Sequence, residues 1–282
     1  MRFAKGHGTG NDFVILPDPD GTLPLTPALV AALCDRRRGI GADGVLRVVR
    51  SAAHPDAEAS SAGAEWFMDY WNADGSQSEM CGNGVRVYAR YLAEAGLVAP
   101  EGTFDLVTRG GVVPVTMGEE IAAAMPIPRV YVSSSATVLG QSFTGTAVDV
   151  GNPHLVCAVD EPTLEGLELL RAPVIDPLIF PAGVNVEFAA VGPAPAGTDL
   201  YRRMRVYERG SGETQSCGSG ACAVAAVAVH HAGLESGVVV VDVPGGRLTV
   251  TVTPNECVLQ GPAVIVAHGD VDAQAIRQLV FS

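Results

Sequence analysis

Ser78-Glu79-Met80-Cys81-Gly82-Asn83-Gly84-Val85-Arg86-Val87-Tyr88-Ala89-Arg90-Tyr91 has a second copy later in the chain, Thr214-Gln215-Ser216-Cys217-Gly218-Ser219-Gly220-Ala221-Cys222-Ala223-Val224-Ala225-Ala226-Val227. Laying Cys81 on Cys217 also lays Gly82 on Gly218, Gly84 on Gly220 and Trp71 on Tyr207. The chain therefore reads as a duplication. In each copy a Cys-Gly-x-Gly turn leads into a glycine-free run of good helix formers, which puts the cysteine at or just before a helix N-terminus. There the free N–H groups and the positive end of the helix dipole favour an anion, and they lower a thiol's pKa from about 8.5. The same N–H groups can hold a carboxylate. Two such ends facing one another would clamp a carboxylate and put a sulfur on either side of the adjoining carbon. Inverting a stereocentre beside a carboxylate needs that arrangement, a base on one face and an acid on the other.

Length and composition agree with two halves. A chain of 282 residues exceeds the size at which one core usually stops growing. Its 48% hydrophobic and 17% charged residues describe an ordinary globular protein. A formal net charge of −13 repels nucleic acid and anionic membrane surfaces, so neither is expected as a partner. The dense basic cluster Arg36-Arg37-Arg38 reads as a solvated helix end before the turn glycines Gly39 and Gly41. Six cysteines are too sparse for a disulfide-built fold, and the opening residues lack the apolar core of a signal peptide. The longest apolar run, Ala221 to Val229, is far short of the roughly 20 residues of a spanning helix. The expectation is a soluble, cytoplasmic protein with reduced thiols.

Taken in order, Met1 to Leu16 predicts a strand, a glycine-rich loop and an apolar return strand. Gly6, Gly8 and Gly10 have the wrong spacing for a dinucleotide loop, and Pro17 and Pro19 stand where its helix would run. Thr26 caps a short helix with Pro27 at its first position. Ser51 to Gly63 reads as a surface loop with little to pack, and Glu65 to Trp71 as a strand delivering Asn72 to the Asp74-Gly75 turn. The helix after Cys81 ends near Gly96, and a join at Met125-Pro126-Ile127-Pro128 divides the halves. Leu164 to Leu170 predicts a helix, Gly237–Val243 and Leu248–Val252 a hairpin, and Asp270 to Leu279 a short amphipathic tail. Many short strands and one apolar helix per half give an α+β class of two pseudo-symmetric domains. Each is a strongly curved, mainly antiparallel sheet around a central helix, with the site in the interdomain cleft. The Cys217 helix, apolar nearly all round, suits that central place. The predicted domains are residues 1–124 plus 264–282, carrying Cys81, and 125–263, carrying Cys217.

Six further blocks accompany the thiols: Gly8-Thr9-Gly10-Asn11-Asp12-Phe13, Arg38-Gly39-Ile40-Gly41-Ala42-Asp43-Gly44, Trp71-Asn72-Ala73-Asp74-Gly75-Ser76, Gly151-Asn152-Pro153-His154, Gly183-Val184-Asn185 and Tyr207-Glu208-Arg209-Gly210. In these blocks, and in their order, the sequence resembles the diaminopimelate epimerases, racemases that use no pyridoxal phosphate. The resemblance implies cofactor-free epimerisation of LL- to meso-diaminopimelate in lysine and peptidoglycan precursor biosynthesis. Cys81 and Cys217 would exchange the proton, Cys81 as donor and Cys217 as acceptor for the LL form, assisted by His154 and Glu208. Asn11, Asn72, Asn152, Asn185, Glu208 and Arg209 would hold the amino-acid substrate, with Arg209 on the distal carboxylate. N–H groups of Gly82, Asn83, Gly218 and Ser219 would take the carboxylate beside the inverted carbon. The resemblance also implies a homodimer and a C-terminal strand, from Val264, returning to the first domain. Some family members carry a substrate-contacting glutamine where this chain has Gly44, so that contact is absent or supplied from elsewhere.

Rival readings attach to the same residues. A random cysteine is more often an inert buried hydrophobe, and Cys34, Cys157, Cys222 and Cys257, without the glycine context, are read that way. A zinc site built on the two thiols and His154 would lack a ligand and a Cys-x-x-Cys pair, so no metal is expected. A Cys81–Cys217 disulfide would be a reversible inactivation. Asp74 reads as turn chemistry, His154 could be a turn histidine, and Glu208 with Arg209 a surface ion pair. A proline or hydroxyproline racemase shares the two-thiol logic, a related isomerase fold lacks the thiols, and a non-catalytic binding protein would grip an amino acid without exchanging its α-proton.

Overall fold

The computed structural model describes residues 1–58, 63–272 and 274–276. The chain divides into two compact units, Met1–Ala123 with Pro262–Ser282, and Ala124–Gly261.

The first unit contains β1 (Arg2–Gly8), β2 (Asn11–Pro17), α1 (Pro27–Cys34), β3 (Gly44–Arg50), α2 (Pro55–Glu58), β4 (Trp66–Asn72), α3 (Gly82–Glu94), β5 (Gly102–Thr108), β6 (Gly111–Met117) and β7 (Ile121–Met125), whose last residues cross the division. The strand Val264–Asp270 pairs antiparallel with β1, β1 with β2, β3 with β4, β5 with β6 and β6 with β7. The two parallel pairs are β2 with β3 and β4 with β5. A parallel pair needs a long crossover, and α1 and α3 lie in these two connections. Alternation along β2 serves two cores: Phe13 and Ile15 join the cluster around Val85, Tyr88 and Leu92 of α3, while Val14 and Leu16 join Val30 and Leu33 of α1. Thr26 caps α1 by accepting from the Leu29 N–H, as its sequence predicts.

The second unit contains β8 (Arg129–Val138), β9 (Gln141–Asp149), β10 (Pro153–Val159), α4 (Glu161–Gly166), β11 (Val174–Ile175), β12 (Asn185–Val191), β13 (Leu200–Glu208), β14 (Gly212–Thr214), α5 (Gly218–His231), β15 (Gly237–Val243), β16 (Gly246–Val252) and β17 (Cys257–Gly261). Here β8–β9, β9–β10, β12–β13, β15–β16 and β16–β17 are antiparallel, and β10–β12 and β13–β15 are parallel. This run of pairings repeats that of the first unit, with α4 and α5 in the connections that α1 and α3 occupy there. The short β11 and β14 are additions on β8 and β13. From Ala221 to Val229 every residue of α5 is buried, and the helix packs on β8, β9, β10, β12, β13, β15, β16 and β17. Its small residues let strands approach from every side.

Three sequence expectations need correction. The helix expected at Leu164–Leu170 lies earlier, at Glu161–Gly166, because Asp160 caps it through the Thr163 N–H and Pro162 sits in its first turn. Ser51 to Gly63 is not a loop with little to pack: a 3₁₀ turn and α2 seat Ala57 in a buried cluster with Val49, Phe67 and Val107, while residues 59–62 lie outside the described residues. Arg36 is not simply solvated, since its guanidinium bonds Asp12 and Asp43. Of the amphipathic tail only one helical turn, 274–276, with Ile276 buried, falls within the described residues beyond Asp272. Among the described residues no helix is long and apolar enough to cross a membrane.

Candidate active-site residues

The repeated topology gathers the same positions in each unit. Since β2 and β3 run parallel and β4 antiparallel to them, the starts of β2 and β3 and the end of β4 lie at one edge. Those positions are Asn11, Gly44 and Asn72, and Gly44 pairs with Asn72. In the second unit the starts of β10 and β12 and the end of β13 bring His154 opposite Asn185 and carry Glu208. After β4 and after β13 the chain turns into the helices α3 and α5.

Both cysteines prove to be the N-cap residues themselves. Cys81 Sγ accepts from the Gly84 N–H at 3.4 Å, and Cys217 Sγ from the Gly220 N–H at 3.3 Å. A sulfur thus takes the place of the usual capping oxygen on the third N–H of each helix. The groups around each sulfur differ.

Around Cys81 lies a chain of amides and carboxylates. The thiol donates to Asn11 Oδ1 at 3.7 Å, where Asn83 Nδ2 also donates at 3.3 Å, and Asn11 Nδ2 donates to Asp43 Oδ2 at 2.9 Å. Arg36 forks onto Asp12 and reaches Asp43 at 2.7 Å. Partial burial raises the Asp12 carboxyl, but hydrogen bonds from Arg36 and Lys5 outweigh it and hold the group well below the usual carboxylate range. Behind Asn83 sits Arg86, fully buried, donating to Asn83 Oδ1 at 2.9 Å and to the Gly82 carbonyl at 3.2 Å. Asn72 accepts from the Tyr70 hydroxyl at 2.8 Å and donates to Ser76 Oγ at 3.0 Å. Asp74 accepts from the Ser76 hydroxyl and N–H, the turn chemistry its sequence context indicates. A Cβ on Gly44 would stand 2.6 Å from the Trp71 carbonyl and 2.8 Å from the Tyr70 ring, so this backbone excludes any side chain there, glutamine included.

Around Cys217 the groups are acidic, and the sulfur itself is buried. Ser219 Oγ lies 3.5 Å from the sulfur, and Thr214 donates to Glu208 at 2.5 Å. The expectation of a depressed thiol pKa is overturned here: burial first, then the charges of Glu208 and Glu187, push Cys217 well above the usual thiol value, against hydrogen bonds from Ser219 and Gly220 that favour the thiolate. A helix-end N–H and a serine hydroxyl do not offset burial of the sulfur beside two carboxylates.

His154 is not a turn histidine. It is fully buried at the start of β10, its Nδ1 2.7 Å from Glu187 Oε1 and its Nε2 3.0 Å from Asn152 Oδ1. Asn185 accepts from the Arg209 N–H at 2.9 Å, and the Arg209 guanidinium holds the Ala182 carbonyl at 2.9 Å. The sequence reading missed Glu187 and Arg86. None of the six cysteines is joined in a disulfide, and burial pushes Cys34 and Cys157 up to about 12, which fits their reading as inert. Among the described residues no cluster of three or more His, Cys, Asp or Glu is placed to hold a metal ion.

Residues 3–127 and 146–266 match the sequence profile of the family described as diaminopimelate epimerase. The diaminopimelate epimerase of Thermobifida fusca is 51% identical over 284 residues, covering 98% of this chain and 100% of its own. That of Mycolicibacterium smegmatis is 47% identical over 289 residues, covering 96% and 97%. Among solved structures, a PhzF-family phenazine biosynthesis protein of Bacillus anthracis superposes with a TM-score of 0.69 at 16% identity, covering 96% of this chain and 99% of its own. A hydroxyproline epimerase of Agrobacterium vitis, solved with trans-4-hydroxy-L-proline, does so with 0.67 at 15%, covering 98% and 94%. These two likenesses are of fold.

Proposed function

Since the chain belongs to the diaminopimelate epimerase family, we propose that it interconverts LL- and meso-2,6-diaminopimelate without a cofactor, using Cys81 and Cys217 as proton carriers. The observation that carries this reading is the duplicated thiol N-cap, one in each unit, each with its own shell of amides or carboxylates. One thiolate removes the α-proton and becomes a thiol. The other thiol gives its proton to the opposite face of the same carbon and becomes the thiolate. The pair therefore ends each turnover ready for the reverse reaction.

For the LL form Cys217 is the acceptor and Cys81 the donor. Cys217 rests as a thiol because burial and two carboxylates oppose its charge. A substrate ammonium arriving beside Glu208 offsets that charge and lets the thiol ionise, its proton leaving to solvent, so the base forms when there is a proton to take. Negative charge developing on the substrate carboxylate is met by the first N–H groups of the two helices, from Gly82, Asn83, Gly218 and Ser219. Asn11, Asn72, Asn152 and Asn185 hold the remainder of the molecule, and Arg209 takes the distal carboxylate. His154 assists through the contacts it makes with Asn152 and Glu187.

On the same grounds we place the reaction in lysine and peptidoglycan precursor synthesis, in a cytoplasmic homodimer. Six cysteines with no disulfide among them suit a reducing compartment, and the family suggests the dimer. Proton NMR of LL-diaminopimelate in deuterated water tests the activity. The α-proton signal should fall as the meso isomer forms, while L-proline and hydroxyproline keep theirs. Exchange of an imino acid with no change in diaminopimelate would replace this reading with the proline racemase one.

A further inference from the structure

Behind the residues proposed above, the described residues place a fully buried carboxyl group, Glu187, that no surface role explains. Its Oε1 meets His154 Nδ1 at 2.7 Å, and its Oε2 has no hydrogen-bond partner among the described residues. It also abuts the Cys217 helix cap: a Cβ placed on Gly220 would lie 2.7 Å from Glu187 Oε1 and 3.3 Å from Cys217 Sγ. Burying a carboxyl without full pairing is costly, so its retention in a strand between Val186 and Phe188, both buried, calls for a return.

The hydrogen-bond directions supply one. Asn152 Oδ1 is only an acceptor, so His154 Nε2 carries a proton and donates it. Either His154 is neutral, its Nδ1 accepting from a protonated Glu187, or it is an imidazolium donating to a carboxylate. In both states a single proton lies between Nδ1 and Oε1. We propose that Glu187 is a positioning residue: by keeping that proton against Nδ1 it commits His154 Nε2–H to Asn152 Oδ1, leaving the Asn152 amide N–H donors for a substrate carboxylate. Without Glu187 the ring can take the other tautomer, which presents a bare Nε2 to the asparagine and lets its amide turn over. The inference deepens the reading of Asn152 as a substrate contact and rests on it. Besides His154, the titratable groups facing Glu187 are Cys157 on β10, Glu208 on β13 and Cys217 at the cap of α5.

The test uses the intact protein labelled with ¹⁵N-histidine, the His154 signals being assigned by their loss in His154→Gln. Wild type and Glu187→Gln should both show a protonated Nε2, since the amide can still donate to Nδ1, whereas Glu187→Ala should lose that single form. In parallel, Glu187→Ala should raise KM for diaminopimelate about 10- to 100-fold, the value of one hydrogen bond to a charged group, with kcat changed less. Wild-type KM should rise at alkaline pH as the proton shared between Glu187 and His154 is lost, and Glu187→Gln should restore KM and remove that rise, because an amide has no proton to give up. An unchanged His154 tautomer in Glu187→Ala, or identical KM against pH in wild type and Glu187→Gln, would overturn the inference. The spectrum needs no turnover, so a wild type inactive on diaminopimelate would fail the proposed function while the tautomer still decides the role of Glu187.

Discussion

At Cys217 the burial that would sharpen an electrostatic interaction also opposes ionisation of the thiol, and the balance is set by neighbours. Removing one negative neighbour should shift it: Glu208→Gln should move the alkylation of Cys217 by a small reagent to lower pH, and an unmoved profile would remove Glu208 from the account. Gly220 is the second pressure point, since an added methyl would meet both Glu187 and the sulfur. Gly220→Ala should cost about 1–3 kcal/mol in urea unfolding by overpacking and lower kcat more than KM. Both cysteines were legible in the sequence because the duplication preserves their glycines. Glu187 was not, because Asn185-Val186-Glu187-Phe188 reads as a strand with its charge facing water, and this strand is buried on both faces. Arg86 escaped for the same reason, the first two turns of α3, Gly82 to Ala89, being buried all round with no solvent face to which a charge can be assigned.

Among elements, the repeated order of strand pairings shows why the same corner carries the site residues twice. Parallel pairs force crossovers, crossovers bring helices, and the helices begin beside the ends of β4 and β13, where Asn72 and Glu208 stand. This order was legible only in part. Strands, the Thr26 cap and the hairpin at Pro244-Gly245 follow from local signals, whereas pairing partners do not. The helix at Glu161–Gly166 was misplaced because the leucines from Leu164 to Leu170 suggest a helical face, and Asp160 had already started the helix. Two substitutions probe elements directly. Thr26→Ala should cost about 0.5–2 kcal/mol by leaving the Leu29 N–H without its partner, measured by urea unfolding. Ala225→Leu, in the buried run Ala221 to Val229 of α5, should destabilise by about 1–3 kcal/mol, and a neutral result would mean the strands around α5 are not close-packed.

For the whole chain, buried thiols set an alkaline limit. Cys34 and Cys157 are pushed up to about 12 and Cys217 is also raised, while unfolded thiols ionise near 8.5. A folded pKa above the unfolded one gives stability that is complete below the unfolded pKa and lost as pH rises toward the folded value, here between about 8.5 and 12. The loss should approach ~1 kcal/mol per pH unit for each thiol, and Cys34→Ala with Cys157→Ala should flatten it even where the variants start less stable. Two halves were legible from the repeat alone, whereas the contrast between the groups around Cys81 and those around Cys217 required the structure. The central claim, that a separate thiol serves each face of one carbon, is tested most directly by the first turnover of LL-diaminopimelate in deuterated water. The account predicts deuterium at the inverted centre of the meso product while unreacted LL isomer stays protiated, and loss of that inversion in both Cys81→Ala and Cys217→Ala. Deuterium appearing equally in recovered LL isomer, or inversion surviving in either variant, would contradict it.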